Sequence, residues 1–333
     1  MATVNHTDPR PDNSVTVGLL SNPYSGRNRK QLDTIGRIVA DYPNVHHQQT
    51  RDAGHIAEVL AGFADQSIEL LAINGGDGTV ARTLAHLLEE HPFPVLPRVV
   101  LLPGGTTNMN AGDVGLRGSL ASAVQRLCAW STDRNKPHEN LVRPILRVSG
   151  SDAQPTVYGM FFGAGAIIQG IEYCRARIYS KGISSEIGAG LTLARTMWGI
   201  ARRDRRFVQP VPMSVALNGS PASPARDTRL LLVSSLERLV LGMRPWWGQE
   251  NGPLHASLVL DNADRLLRNL PSLLRGKPNR YLTEARGYYS HNIDRISLAF
   301  DGTWTLDGED YQASIADGPV TITNGGEVTF VRL

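Results

Sequence analysis

Cysteine, excess charge and long apolar runs are all scarce in this sequence of 333 residues. Its two cysteines, Cys128 and Cys174, lie far apart without a C-x-x-C partner, so neither a disulfide scaffold nor a zinc site is predicted. The formal net charge is only +3, which gives no indication of nucleic-acid binding. No apolar run reaches the roughly 18 residues that a membrane-spanning helix needs, so any membrane contact should be peripheral.

The first 14 residues lack the basic and apolar segments of a secretory signal. We expect a disordered lead-in over residues 1–14 and a cytoplasmic protein, with any membrane contact on the inner face. Hydrophobic residues make up 41% of the chain and charged residues 20%, which is typical of a folded globular protein. A chain of this length is expected to form two domains.

Strand-like and helix-like stretches alternate in the first part of the chain, which favours an open, mainly parallel α/β sheet. Apolar runs predict the strands, and apolar residues at helical spacing predict the helices. The predicted strands are Val15–Leu20, Val45–Thr50, Leu70–Asn74 and Val99–Leu102. The predicted helices are Arg29–Ala40, Gly54–Phe63 and Thr79–Glu90.

After Asn140 the pattern changes to many short strands separated by turn residues, which predicts an antiparallel β-sandwich. These strands are Ile145–Val148, Thr156–Phe162, Met213–Leu217, Leu230–Ser234, Leu258–Leu260, Arg295–Phe300, Trp304–Leu306, Val320–Asn324 and Val328–Val331. Two helices, Leu191–Arg203 and Arg265–Leu274, interrupt them. The polar segment Ser131–Asn140 suggests domains over 15–138 and 139–333, with the last strand a candidate to return to the first domain.

Three glycine-containing turns each follow a predicted strand in the first domain. They are NPYSG at 22–26, GGDGT at 75–79 and GGTTN at 104–108. In an open α/β sheet the carboxyl ends of strands collect ligands, and glycine lets backbone N–H groups approach phosphate oxygens. One such turn could serve chain geometry alone, but three with hydroxyl or carboxamide side chains favour phosphate binding. The chain has no G-x-x-x-x-G-K-[ST] motif, and no G-x-G-x-x-G opens its first βαβ unit, so neither a Walker-type site nor a dinucleotide oxidoreductase is indicated.

Taken in order, NPYSG, GGDGT, PGGTTN at 103–108 and LDGE at 306–309 resemble the motif series of the diacylglycerol kinase catalytic family. Sphingosine kinases and other lipid kinases are relatives, and GGDGT alone is shared with NAD kinases. The resemblance implies an α/β nucleotide domain, a C-terminal β-sandwich domain and ATP bound in the cleft between them. It also implies a lipid substrate at a membrane surface and a role in phospholipid biosynthesis.

The same resemblance assigns residues to nucleotide binding. They are Asn22, Ser25, Gly26, Thr50, Gly75, Gly76, Asp77, Gly78, Thr79, Gly105, Thr106 and Asn108. Asp77 is also the candidate Mg²⁺ contact, and its simpler interpretation is an Asx-type cap on the helix that follows it. ATP and Mg²⁺ are therefore the expected cofactors, because phosphoryl transfer needs positioning and charge neutralisation.

Asp307 resembles the proposed catalytic base of the family, with Glu309 beside it to orient the acceptor hydroxyl or tune the pair. The simpler interpretation is structural, since Asp-Gly is a common turn signal. Two further examples lie nearby, at Asp301-Gly302 and Asp317-Gly318.

Several positions depart from the family pattern. Ala81 and Arg82 stand where the family often has Asn-Glu, and Asn251 lies near an expected Asp that holds a structural Mg²⁺ in some bacterial members. The usual Asn before FFGAGAIIQG is also missing. These departures leave the structural metal open and suggest an inactive nucleotide- or lipid-binding regulator as an alternative to a kinase; an NAD kinase is the other alternative. The identity of the acceptor lipid and the existence of a homodimer also stay open.

Three features are candidates for membrane contact. The first is a basic cluster that follows a helix with apolar residues: Arg202, Arg203, Arg205 and Arg206, after Leu193, Met197, Trp198 and Ile200. The second is a leucine stripe in Arg265–Leu274, for which core packing is the favoured interpretation. The third is Trp246-Trp247, for which the lining of an acyl pocket and a role in the core are alternative interpretations. Each basic residue near an anionic leaflet contributes about 1 kcal/mol of binding free energy, which favours reversible adsorption.

Overall fold

The computed structural model describes residues 13–106, 108–150, 155–165 and 210–333. These residues divide into two compact units. The first unit consists of the described parts of Met1–Thr79, His91–Leu141 and Thr329–Leu333, and the second of the described parts of Val80–Glu90 and Val142–Val328. The helix predicted at Leu191–Arg203 and the basic cluster after it lie outside the described residues. In the described ranges, none of the helices combines the length and apolar character needed to span a membrane.

The first unit contains a parallel sheet, as the alternating pattern predicts. Its strands are β1 (Val17–Ser21), β2 (Val45–Gln49), β3 (Leu70–Gly75) and β4 (Arg98–Pro103), in the spatial order β4-β3-β1-β2. Strands β1 and β3 are buried along their whole length, which is typical of a parallel sheet covered on both faces. Ser21 is in register with Asn74, and Asn74 with Leu102, so β1, β3 and β4 end at one edge.

The helices in this part of the chain are α1 (Leu32–Val39), α2 (His55–Asp65), α3 (Asp77–Glu89), α4 (Met109–Val114) and α5 (Leu120–Ser131). Helix α3 belongs to the second unit from Val80 onward, and helices of the first unit cover both faces of its sheet. Residues of α1 and α5 pack against Val17, Leu19 and Ala72 in one core cluster. On the other face, Phe63 of α2 lies so close to Gly18 that a Cβ on this glycine would be 2.8 Å from the ring. The three predicted helices are confirmed, whereas α4 and α5 were not anticipated.

The second unit is mostly antiparallel, as predicted. Its elements are β5 (Glu139–Ser149), β6 (Val157–Gly159), β7 (Phe161–Gly165), β8 (Val211–Leu217), β9 (Arg226–Ser234), β10 (Leu254–Leu260), α6 (Leu266–Leu274), β11 (Tyr288–Ile293), β12 (Arg295–Ala299), β13 (Gly302–Leu306), β14 (Glu309–Ala313) and β15 (Val320–Arg332). Neighbouring strands are antiparallel along the path β14-β13-β7-β9-β8-β12-β15. Strand β10 also pairs with β9 and β11.

One expectation about the last strands is wrong. The predicted strands Val320–Asn324 and Val328–Val331 form the single strand β15, because Gly325-Gly326 is not a turn. A Cβ on Gly325 would be 2.6 Å from the Cβ of Arg147, so the glycine permits close approach of β5. The end of β15, from Thr329, belongs to the first unit, where Phe330 is in parallel register with Val99 of β4.

An aromatic stack fixes the hairpin formed by β13 and β14. Trp304 is buried and stacks on Tyr311 at 4.4 Å between ring centroids, and on Phe162 of β7 at 5.2 Å. These three side chains come from three adjacent strands. The turn that joins β13 to β14, at Asp307-Gly308, is therefore held by a packed core and not by its own residues alone.

Candidate functional site

The three glycine-containing loops of the first unit are bound to one another. The Ser25 hydroxyl accepts a hydrogen bond from Gly76 N at 3.1 Å, and Asn22 Nδ2 donates to Thr79 Oγ1 at 2.9 Å. Arg27 N donates to Gly104 O at 3.2 Å. The loop after β1 thus contacts both the loop after β3 and the loop after β4, as expected for strands that end at one edge.

A Cβ at three of the loop glycines would meet a close neighbour, and a Cβ at a fourth would not. A Cβ on Gly105 would be 2.6 Å from Gly76 Cα, one on Gly26 would be 2.6 Å from Thr106 Oγ1, and one on Gly75 would be 2.5 Å from Thr79 Cβ. At Gly76 the nearest atom would be 3.7 Å away, an ordinary contact distance. A Cβ at Gly76 would therefore not clash with the described part of the protein.

Asp77 connects the second loop to the helix after the third loop. Its Oδ2 accepts from Met109 N and its Oδ1 from Asn110 N, each at 3.1 Å. The predicted cap is therefore wrong in its target: Asp77 caps α4, not the helix α3 that it begins. Burial raises the pKa of Asp77, while the two N–H donors oppose that rise. Each carboxylate oxygen keeps a second acceptor position.

Asn108 closes the third loop on itself. Its Oδ1 accepts from Gly105 N at 2.7 Å, and its Nδ2 donates to Gly105 O at 2.8 Å. The backbone φ of Asn108 is +51°, a left-handed conformation that asparagine tolerates better than most residues. Asn108 therefore shapes the loop, and its neighbour Thr107 lies outside the described residues.

The remaining predicted nucleotide residues are Thr50 and Gly78. Thr50 is buried at the end of β2, and its backbone N donates to Ser21 O at 2.9 Å. Gly78 is half-buried in the first turn of α3. The first unit thus brings together Asn22, Ser25, Gly26, Gly75, Gly76, Asp77, Thr79, Gly105, Thr106 and Asn108, with Thr50 attached to the strand that precedes Asn22.

Asn28 is a residue that sequence reasoning missed. Its side chain is fully buried, and Nδ2 donates to Asn22 O at 2.7 Å and to Asn74 O at 3.0 Å. It therefore joins the ends of β1 and β3 from beneath the loops. An asparagine six residues after Asn22 carries no recognisable motif, because its partners are backbone atoms that become neighbours only on folding.

Replacing Asn28 with alanine should destabilise the first unit. Two carbonyl groups lose a buried donor, so the free energy of unfolding should fall by about 1–3 kcal/mol. Urea denaturation measures this change, and Asn135→Ala, at an exposed position of the same unit, is the control. Equal stability of the two variants would contradict the role of Asn28 in positioning the loops.

In the second unit, Asp307 and Gly308 form a two-residue hairpin turn. Their φ angles are +48° and +87°, and Leu306 pairs with Glu309 across the turn, as in a type I′ turn. The structural interpretation of the Asp-Gly pair is therefore correct as a description of the backbone. It does not account for the side chain of Asp307.

The carboxylate of Asp307 is buried and anchored by two backbone donors. Its Oδ2 accepts from Met160 N and its Oδ1 from Phe161 N, each at 3.0 Å. A Cβ on Gly159 would be 2.8 Å from Asp307 Oδ2, so a glycine is needed at the end of β6. The two N–H donors hold the carboxylate in one orientation.

Glu309 has a different environment from Asp307. It is exposed at the start of β14, and its backbone oxygen accepts a hydrogen bond from Thr305 Oγ1 at 3.1 Å. The two carboxylates of the LDGE segment are thus one fixed, buried group and one solvated group. An arrangement of this kind suits one carboxylate to accept a proton at a defined position and the other to orient a mobile partner.

Hydrogen bonds within the protein hold the segment around Asn251, where the sequence left a structural metal site open. The Glu250 carboxylate contacts His291 Nδ1 at 2.7 Å and accepts from Asn292 N at 2.9 Å, and Asn292 Nδ2 donates to Glu250 O at 2.9 Å. Within the described part of the chain, no group of three or more His, Cys, Asp or Glu side chains could hold a metal ion. The nearby Trp246 is buried and stacks on His255, which is a core role.

Comparison with known proteins agrees with the resemblance seen in the motifs. Residues 16–136 match the family model of the diacylglycerol kinase catalytic domain, so the resemblance predicted from the motifs is confirmed for that segment. A protein described as a “putative diacylglycerol kinase” from Bacillus anthracis str. Sterne has the same fold, with a TM-score of 0.64, 17% identity and coverage of 97% of this chain and 98% of that chain. A structure described as a diacylglycerol kinase from the same organism has a TM-score of 0.59 and 16% sequence identity. The match covers 96% of this chain and 98% of that chain. No curated protein matches the sequence.

Proposed function

We propose that this protein is an ATP-dependent lipid kinase that transfers the γ-phosphoryl group of ATP to a hydroxyl of a diacylglycerol-like or sphingoid lipid. The observation that carries the proposal is the set of three interlocked loops, located in the segment that matches the diacylglycerol kinase catalytic domain. The proposal assigns nucleotide binding to the first unit and proton transfer to Asp307 of the second, so each unit is necessary for activity.

The first unit offers a fitting environment for nucleotide phosphates. Gly76 has no side chain to keep phosphate oxygens away from nearby backbone N–H groups, and Gly26 and Gly105 lie against residues of neighbouring loops. Asp77 is the residue assigned to Mg²⁺, which would neutralise phosphate charge when bound. Proteins commonly hold Mg²⁺ through one or two carboxylates plus substrate phosphates, so one carboxylate suffices. A nearby cation would also offset the burial that raises the pKa of Asp77.

Asp307 is assigned as the base for the acceptor hydroxyl. As the lipid oxygen forms its bond to the γ-phosphorus and the bond to the ADP oxygen breaks, Asp307 accepts the hydroxyl proton. The N–H groups of Met160 and Phe161 fix its carboxylate, so little reorganisation is needed at the moment of transfer. Glu309 is assigned to orient the hydroxyl from the solvent side.

The test is phosphoryl transfer from radiolabelled ATP in the presence of Mg²⁺ and detergent micelles that carry diacylglycerol, monoacylglycerol or sphingosine. Label in the organic phase, lost on addition of EDTA, is the expected result. Label on NAD supplied in place of lipid would instead identify an NAD kinase. Bound nucleotide with no labelled product would identify an inactive regulator, in line with the departures at Ala81 and Arg82. Either of the last two outcomes overturns the proposal.

A further inference from the structure

Positive charge is concentrated in and around α6. Residues 264–286 contain six basic side chains and two acidic ones, a net charge of +4, whereas the whole chain carries only +3. We call this set the α6 basic surface; it consists of Arg265, Arg268, Arg275, Lys277, Arg280 and Arg286. The rest of the chain, taken together, has a slight negative excess. Among the described residues, the α6 basic surface is therefore a local concentration of positive charge to which an anionic partner would be attracted.

Four of these arginines surround one tyrosine. The distances from the guanidinium carbon to the Tyr281 ring centroid are 4.8 Å for Arg280, 5.0 Å for Arg265, 5.1 Å for Arg286 and 5.6 Å for Arg268. The aromatic ring offsets part of the repulsion among the four cations. Their hydrogen-bond donors form a compact array that suits phosphate oxygens.

Acidic side chains neutralise only part of this array. Asp264 pairs with Arg286 at 2.6 Å and lies 3.7 Å from Arg265, while Glu284 contacts His291 at 3.3 Å. Arg268 and Arg280 are exposed, so their charges face the solvent. The array therefore keeps an excess of positive charge that an external anion can satisfy.

Exposed leucines lie on and next to the same surface. Helix α6 turns Leu266 and Leu273 into the core, as core packing predicts, but leaves Leu267 40% exposed. Leu241 is 71% exposed at the tip of a tight turn, with the unusual φ of +59°. This turn adjoins the C-terminal end of α6, because Arg244 N donates to Leu274 O at 2.8 Å.

We infer that the α6 basic surface and the Leu241 turn bind the surface of an anionic lipid bilayer. The arginines contact lipid phosphates, while Leu241 and Leu267 enter the boundary between head groups and acyl chains. Cations beside exposed apolar side chains are the combination that interfacial binding requires, whereas a soluble polyanion has no use for the leucines. The inference deepens the proposed function, since a lipid acceptor resides in a bilayer. Binding can be measured without catalysis, so the two can fail separately.

Sedimentation with vesicles tests the charged part of this surface. Wild-type protein should bind vesicles of phosphatidylcholine and phosphatidylglycerol in equal parts, and far less to phosphatidylcholine alone. Combined Arg268→Glu, Arg275→Glu and Arg280→Glu should weaken binding by roughly 100-fold or more, because each basic residue near an anionic leaflet contributes about fivefold. Combined Arg37→Glu, Arg126→Glu and Arg295→Glu makes the same change of charge at exposed positions elsewhere and should have little effect at physiological salt.

Leu241→Ser tests the apolar part and separates a bilayer from a soluble polyanion. It should weaken vesicle binding by roughly 10-fold, corresponding to one leucine withdrawn from the bilayer, and leave retention on heparin unchanged. Three results would overturn the inference: no vesicle binding by wild type at low salt, equal losses in the two triple variants, or unchanged vesicle binding by Leu241→Ser. Circular dichroism of each variant checks that a loss of binding is not a loss of folding.

Discussion

Replacement of Asp307 with asparagine is expected to lower lipid phosphorylation by roughly 10²–10⁴-fold, the usual effect of removing a general base. Asparagine suits the backbone at this position, because Asn-Gly favours the same type I′ turn as Asp-Gly. The substitution therefore keeps the hairpin and removes the charge. The affinity for ATP should stay near the wild-type value, because nucleotide binding is assigned to loops of the first unit. Initial rates with saturating lipid, combined with ATP titration, measure both quantities.

The anchoring of Asp307 makes a stability control necessary. The asparagine Nδ2 would face one of the N–H donors of Met160 or Phe161, so the free energy of unfolding should also fall by about 1–3 kcal/mol. Asp301→Asn is a matched variant, since Asp301 also precedes a glycine and accepts a backbone bond, from Ile315 N at 2.8 Å. It should keep full activity. Full activity of folded Asp307→Asn would show that this carboxylate only braces the hairpin.

Local patterns in the sequence are sufficient to predict where the three glycine-containing loops lie. Apolar runs followed directly by glycine mark the ends of parallel strands, and parallel strands end at a common edge. The positions of Asn22, Gly76 and Gly105 follow from these two facts. Their proximity in the structure is set by strand register, which buried apolar runs specify strongly.

Contacts between segments distant in the chain could not be predicted in this way. Asp77 binds the backbone of Met109 and Asn110, and Asp307 binds that of Met160 and Phe161. A backbone N–H has no residue identity, so a sequence contains no signal for such a partner. The buried role of Asn28 was missed for the same reason.

The prediction of two separate final strands was wrong because a glycine can permit close packing within a strand. Gly325-Gly326 has the composition of a turn, yet β15 continues through it, and β5 passes too close for a side chain at Gly325.

Strand β14 was not predicted, because the sequence EDYQA is too polar to indicate a strand. It is stabilised instead by pairing with β13 and by the stack of Tyr311 on Trp304.

Replacement of Gly76 with valine is expected to abolish tight nucleotide binding while the protein stays folded. Gly76 does not have a positive φ, and the nearest atom to an added Cβ would be 3.7 Å away, so the fold can accept a side chain there. That side chain would occupy the space assigned to phosphate oxygens. Loss of one or two hydrogen bonds to a charged group, each contributing about 1.5–3 kcal/mol, should weaken ATP binding by roughly 10- to 10,000-fold. Calorimetric titration with Mg·ATP measures the effect.

Gly105→Ala is the matched contrast, because it adds a smaller side chain to a glycine in the adjacent loop. Its Cβ would be 2.6 Å from Gly76 Cα, and backbone atoms cannot rotate away as a side chain can. We expect Gly105→Ala to lower the free energy of unfolding by about 1–3 kcal/mol, the usual effect of overpacking. Gly76→Val should change stability by less than about 1 kcal/mol. The smaller substitution should therefore damage the fold, and the larger one only the binding of nucleotide. If Gly76→Val binds Mg·ATP as tightly as wild type, the backbone at Gly76 is not part of the phosphate site.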